Sequence, residues 1–265
     1  MFIRTENAVW NIKKMPGIID RTGGKGVYFP CGGMNMKVDV YATIKDVEKE
    51  KIRHADAVVI DVLRMTSTVT NALSNGAGKI RLIGDESKAR KLSERENCLL
   101  GGERGGKKLD GFDFGNSPLE YTKQKVSGKA IVMTTTNGAR AAEAACGAKS
   151  VRLCSFLNVY SVSERLKDSE HVAVLCAGTH DLFSLDDCLC AGALCSYLKA
   201  DEENDLAIAM RLLFETHKGD LTGALERTKH YRYLKSIGFH EDLAFCLTMN
   251  THEKVPVMDE DGWFV

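Results

Sequence analysis

Residues 57–68 read AVVIDVLRMTST. The run Ala57-Val-Val-Ile60 is apolar without alternation, the pattern of a strand buried on both faces of a parallel sheet. It ends on a carboxylate, Asp61, and a hydroxyl-rich turn, Thr66-Ser-Thr68. A helix is predicted through residues 70–73, closed by Gly76 and Gly78, and a strand follows over residues 79–83.

The pattern recurs at residues 130–154. Ala130-Ile-Val-Met133 reads as a strand and Thr134-Thr-Thr-Asn-Gly-Ala-Arg140 as its loop. Residues 141–146 are helical, Gly147 closes them, and residues 151–154 form the next strand. In both units an arginine stands five residues after the closing glycine, at Arg81 and Arg152. The repetition suggests an internal duplication. A third strand is predicted at residues 171–176, with the turn 177–184 and a helix over 185–198. Residues 38–41 add a strand and residues 45–53 a charged helix. Alternating strands and helices imply an α/β protein, a three-layer α/β/α arrangement with a mainly parallel or mixed sheet. Ligands of such sheets sit beyond the carboxyl ends of the strands.

Residues 1–35 lack this periodicity. They carry Pro16-Gly17, Gly23-Gly24 and Gly32-Gly33, and read as an N-terminal extension before a domain spanning 36–265. Beyond Asp201 the chain is acidic, then helical over 206–214. Residues 231–234 with Phe239 and Phe245 read as a small helical cap.

The 265 residues are 44% hydrophobic and carry 36 basic and 36 acidic side chains. With no basic excess, nucleic acid and anionic membrane surfaces are not expected partners, and any anion site must be local. No apolar run reaches the roughly 20 residues of a membrane helix. The nine cysteines form no CxxC pair and lie mostly in apolar runs, which implies reduced thiols and a cytoplasmic protein. The small-residue helices at 139–145 and 191–195 could pack internally or across a homodimer.

The post-strand segments concentrate the chemistry. Thr134, Thr135, Thr136, Asn137 and Gly138 suit an oxyanion at a helix N-terminus, with Arg140 as a bidentate clamp; a plain helix cap uses the same residues. Asp61 can be a metal ligand, a nucleophile or a helix-start acid. Residues 101–121, GGERGGKKLDGFDFGNSPLEY, read as a glycine-rich loop. Its glycines would let the backbone approach a ligand, Glu103 suits a hard cation and Arg104 an anionic group. Asn116 or Ser117 would cap a helix starting at Pro118. Asp186 and Asp187 open the third helix, either as helix-dipole acids or as further oxygen ligands. An all-oxygen set implies Mg²⁺ rather than zinc. His180 is read as incidental. No GxSxG, P-loop or GxGxxG is present.

Together, Asp61-Val-Leu-Arg64 with Thr66-Ser-Thr68, Gly102-Glu-Arg-Gly-Gly106, Gly111-Phe-Asp113, Gly115-Asn-Ser-Pro118, Thr134-Thr-Thr-Asn-Gly138 with Arg140, and Cys176-Ala-Gly178 resemble the 2-phosphosulfolactate phosphatases. The resemblance runs from about Met36 to about Leu198. It implies Mg²⁺-dependent hydrolysis of 2-phospho-3-sulfolactate to 3-sulfolactate and phosphate, a step toward coenzyme M. In this family's pattern a glutamate precedes the residue matching Asp187, where this chain has Asp186. The residues read on their own fit this chemistry, with Asp61, Glu103 and Asp187 expected to hold Mg²⁺ directly or through water, and Asp61, Arg104 and Arg140 as the expected catalytic groups. Arg64, residues 134–136, Asn137 and Gly138 would bind substrate, a small anionic phosphate ester. The residues themselves leave open another ester, such as phospholactate or phosphoglycolate, or a non-catalytic anion binder.

Overall fold

The computed structural model describes residues 2–5, 8–11 and 35–265. The chain divides into two compact units, Met1–Gly33 and Met34–Val265. In the first, β1 (Phe2–Thr5) pairs antiparallel with β2 (Ala8–Asn11). The rest of residues 1–34 lies outside the described residues.

The second unit opens with β3 (Lys37–Tyr41), α1 (Lys49–Ile52), β4 (Asp56–Ile60), α2 (Met65–Ser74) and β5 (Lys79–Leu82). Next come α3 (Glu86–Glu96), β6 (Leu99–Arg104), β7 (Lys107–Lys108), α4 (Lys123–Val126) and β8 (Ala130–Thr134). They are followed by α5 (Gly138–Ala144), β9 (Ser150–Cys154), α6 (Val159–Leu166), β10 (His171–Cys176) and α7 (Leu185–Leu198). The chain ends with β11 (Glu202–Glu203), α8 (Asp205–His217), α9 (Leu221–Leu225), α10 (Lys229–Ser236), α11 (His240–Cys246) and β12 (Trp263–Phe264).

The strands form two five-stranded sheets, ordered β11-β3-β10-β4-β9 and β12-β5-β8-β6-β7. The first is parallel throughout, and the second is parallel except at its edges, β12 and β7. β4 is interior and every one of its residues is buried, as its unbroken apolar run requires. Burying a Val or Ile side chain contributes about 1.5–3 kcal/mol, so such a run is stable only where both faces are covered.

Side chains of β4 alternate between two cores. Val59 joins Met65, Val69, Ile80, Ile131 and Met133 between the sheets, where α2 and α5 lie. Val58 and Ile60 join Val174, Leu189, Leu194 and Phe214 on the opposite face. A small third cluster of Ala89, Val132 and Trp263 sets α3 against the second sheet. Helices thus cover both faces of each sheet, the α/β/α layering expected. Each repeated unit begins in one sheet and ends in the other: β4-α2-β5 and β8-α5-β9 run in opposite senses between the two. The post-strand loops therefore come from two sheets that face one another rather than from one edge.

Several local expectations are corrected. The helix predicted at 45–53 is a 3₁₀ turn, Ile44–Asp46, followed by the single turn α1. Only Ile52 is buried there, so no apolar stripe holds a longer helix. Pro118 begins a 3₁₀ turn without a side-chain cap, because the Ser117 hydroxyl donates instead to Asp242 at 2.7 Å. The helix α2 starts earlier than predicted, directly after Arg64.

The glycine-rich stretch begins as strand, not loop. Gly101 and Gly102 pair in register with Met133 and Thr134, and Gly105 and Gly106, with φ of 57° and 77°, make the two-residue turn into β7. Protein atoms take the space that Gly101, Gly102 and Gly106 spare: the Tyr121 hydroxyl, the Thr134 backbone and the Ile237 side chain. A Cβ on Gly102 would lie 2.2 Å from the Thr134 carbonyl oxygen, at a φ of 148°. Gly102→Ala is therefore expected to cost about 3 kcal/mol or to prevent folding, read from urea denaturation.

Candidate active site

The carboxyl ends of β4 and β10 in one sheet and of β6 and β8 in the other border a common cavity of about 820 Å³. Asp61 and Arg64 enter it from the loop after β4, Glu103 from the end of β6, and Thr136 and Asn137 from the loop after β8. Thr179 and His180 enter from the loop after β10, Asn116 from the segment before Pro118, and Lys229, His230 and Arg232 from α10.

Asp61 is buried at the strand end, with Oδ1 accepting from the Met65 amide at 3.3 Å. Burial, with the negative charges of Asp186 and Glu103, pushes its carboxyl up to about 7 against the pull of His230. Gly138 is required beside it, since a Cβ there would stand 2.3 Å from Asp61 Oδ2. Glu103 is held from three directions. Its Oε1 accepts from the Thr136 amide at 2.8 Å and hydroxyl at 2.9 Å, and its Oε2 from the Gly106 amide at 2.6 Å.

Asp187 serves the framework. Its Oδ1 accepts from the Val62 amide at 2.8 Å and its Oδ2 from the Gly178 amide at 3.0 Å, tying the loops after β4 and β10. Burial and the neighbouring Asp186 and Asp61 push its carboxyl well above the ordinary range. It does not line the cavity. Asp186 accepts from the Ser184 hydroxyl and stands 3.6 Å from His230 Nδ1. Burial pushes the Asp186 carboxyl up and the His230 imidazole down; their mutual contact reverses both, so Asp186 is lowered and His230 raised.

The three arginines singled out in the sequence all have protein partners. Arg64, buried, donates to Asp242 at 2.5 Å and to the Gly106 carbonyl at 2.8 Å, and stacks on Phe239 with 3.7 Å to the ring centroid. It reaches the cavity while pinning α11 to the strand ends. Arg104 donates to the carbonyls of Glu103 and Gly84 and to Thr134 Oγ1, outside the cavity lining. Arg140 pairs with Asp181 at 3.0 Å, also outside it. Thr134 meets Arg104, and Thr135 Oγ1 accepts from the Ala139 amide at 2.9 Å as a helix cap. Asn137 Oδ1 accepts from the His180 amide at 3.2 Å, joining loops of the two sheets.

The structure thus brings together Asp61, Arg64, Glu103, Thr136 and Asn137 of the predicted set, and leaves Arg104, Arg140, Asp187, Thr134, Thr135 and Gly138 outside the cavity lining. Two groups of residues escaped sequence reasoning. Asn116, read as a cap, lines the cavity and its buried Oδ1 has no hydrogen-bond partner among the described residues. The cations of α10 were visible in Arg227-Thr-Lys-His-Tyr-Arg232, a basic cluster in an otherwise acidic tail, but nothing local tells that this helix faces the strand ends.

Among the described residues no group of three or more His, Cys, Asp or Glu side chains is placed to hold a metal ion. Two carboxylates and an unsatisfied amide oxygen do border one cavity. That set fits Mg²⁺, which keeps several waters and takes one or two protein carboxylates.

Residues 41–261 match the model of a family described as 2-phosphosulpholactate phosphatase. The chain belongs to that family. It is similar to a Caldicellulosiruptor saccharolyticus protein named "Probable 2-phosphosulfolactate phosphatase", 42% identical over 80% of this chain and 92% of that one. Proteins with the same name from Thermotoga petrophila and Clostridium novyi are 43% and 36% identical, covering 76% and 83% of this chain and 88% and 96% of theirs. The family match covers every strand from β4 to β11 together with α10 and α11, so the cavity and its cap both lie within it.

Two outcomes follow from this geometry. Asp61 has a folded-state pKa raised from 3.8 to about 7, so in metal-free protein its burial removes stability as pH rises from about 4 to about 7. Asp61→Asn should therefore melt higher than the parent at pH 8, and the gap should close toward pH 4, read from thermal midpoints in chelator. Asp242→Ala leaves the buried Arg64 charge unpaired and should cost about 3–5 kcal/mol, read from urea denaturation.

Proposed function

We propose that the chain hydrolyses 2-phospho-3-sulfolactate to 3-sulfolactate and phosphate, with Mg²⁺ as cofactor. Family membership supports the reaction. The observation that carries the site is the convergence of Asp61 and Glu103, from facing sheets, on one cavity.

Asp61 and Glu103 would hold Mg²⁺, with Asn116 Oδ1 as a further oxygen donor. Bound there, Mg²⁺ supplies Lewis-acid polarisation of a phosphoryl oxygen. The protein's own contribution is preorganisation. Glu103 is locked by the Thr136 and Gly106 donors. Arg104, bonded to Gly84 and Thr134, acts as a positioning residue that fixes the end of β6 against β8. Arg140 acts likewise on the loop after β10, through Asp181. Thr136 and Asn137 present neutral polar groups to the ester, and Arg64 stands at the cavity wall with its charge balanced by Asp242. Held oxygens and fixed dipoles of this kind cost little reorganisation when charge shifts onto the transferring group.

The test is phosphate release from racemic 2-phosphosulfolactate by metal-stripped protein, with and without Mg²⁺. Release that requires Mg²⁺ and falls at least a thousandfold in both Asp61→Asn and Glu103→Gln, with their folding retained, is the expected result. Release undiminished in either variant would remove that carboxylate from the site, and no release by folded parent protein under either condition would overturn the assignment.

A further inference from the structure

Charge is unevenly distributed round the cavity. Its strand-end side carries the carboxylates of Asp61 and Glu103 with Arg64, which is paired to Asp242; its α10 side carries Lys229 and Arg232 with His230, which stands against Asp186. Lys229 and Arg232 are one helical turn apart, so they share a face of α10. Both are exposed on the cavity wall, and among the described residues neither side chain has an ion-pair or hydrogen-bond partner. The helix is anchored beside the end of β6: the Tyr233 hydroxyl donates to the Gly105 carbonyl at 2.8 Å, in the turn that follows that strand.

This contrasts with the other cations near the site. The Arg64 charge is balanced by Asp242, that of Arg140 by Asp181, and Arg104 is occupied by Gly84 and Thr134. The carboxylate end suits a phosphate only through a cation. A substrate with a phosphate, a carboxylate and a sulfonate has more anionic groups than that end can neutralise. Arginine's planar fork matches two oxygens of a sulfonate at once, and a neighbouring lysine adds a second charge.

We propose that Lys229 and Arg232 bind the sulfonate of the substrate and so select it over esters that lack one. This rests on the phosphatase reading above. Lys229 and Arg232 then make one face of α10 a specificity element, while His230 of the same helix stands against Asp186.

The experiment compares parent protein with Lys229→Ala/Arg232→Ala and with Arg232→Lys. Calorimetric titration with 3-sulfolactate should show a Kd raised at least tenfold in the double variant and a smaller rise in Arg232→Lys. The ratio of kcat/KM for 2-phosphosulfolactate to that for 2-phospholactate should fall at least tenfold in the double variant, through KM. Turnover by the parent with an unchanged ratio and an unchanged Kd would overturn this inference and leave the phosphatase reading standing. A parent inert toward both esters, with sulfolactate binding lost in the double variant, would overturn the phosphatase reading and the ester selection while leaving Lys229 and Arg232 as a sulfonate-binding pair. Both side chains are exposed, so the variants should fold; matching circular dichroism and thermal midpoints check that.

Discussion

The site depends on carboxylates that bind backbone rather than each other. Asp187 accepts from the amides of Val62 and Gly178 and thereby joins the loops after β4 and β10. Glu103 accepts from Thr136 and Gly106 and joins the end of β6 to the loop after β8. Each sheet thus has one buried carboxylate that gathers its post-strand segments. Amide donors are suited to this task because they are fixed by the strands and need no side-chain ordering.

Concentrating acids in this way has an energetic cost. Asp61, Asp186 and Asp187 are all buried; burial with Asp186 and Glu103 raises the Asp61 carboxyl, and burial with Asp186 and Asp61 raises that of Asp187. His230 offsets part of the charge by facing Asp186. The proposed Mg²⁺ would relieve part of that repulsion at Asp61 and Glu103, the two carboxylates that border the cavity.

The opposed arrangement of the two repeated units explains why so small a domain surrounds its cavity. In β4-α2-β5 the chain passes from the first sheet to the second, and in β8-α5-β9 it returns. Because α2 and α5 both fill the space between sheets, their N-terminal loops meet: Gly138 at the start of α5 stands against Asp61 and Met65. On the outer side α10 borders the cavity, held by Tyr233 to Gly105, and Arg64 holds α11 through Asp242.

The strands β3, β4, β5, β8, β9 and β10, the helices α2, α5 and α7 and the segments bearing Asp61, Glu103 and Thr136 were legible in sequence, because apolar runs and punctuating glycines act locally. Local pattern could not divide those strands between two sheets, since pairing is decided by long-range burial that any buried strand satisfies equally well. It also misread the glycines at 101–102, whose need is steric and set by Tyr121 and Thr134, residues distant in the chain. The arginines were assigned by chemistry alone; whether a guanidinium faces a ligand or a neighbour depends on acceptors such as Asp242, Asp181 and the Gly84 carbonyl, which folding brings from elsewhere. The sequence by itself determined the α/β class and which residue types could carry the chemistry. Only the tertiary structure decided which of them share a cavity, because that choice belongs to contacts between elements far apart in the chain.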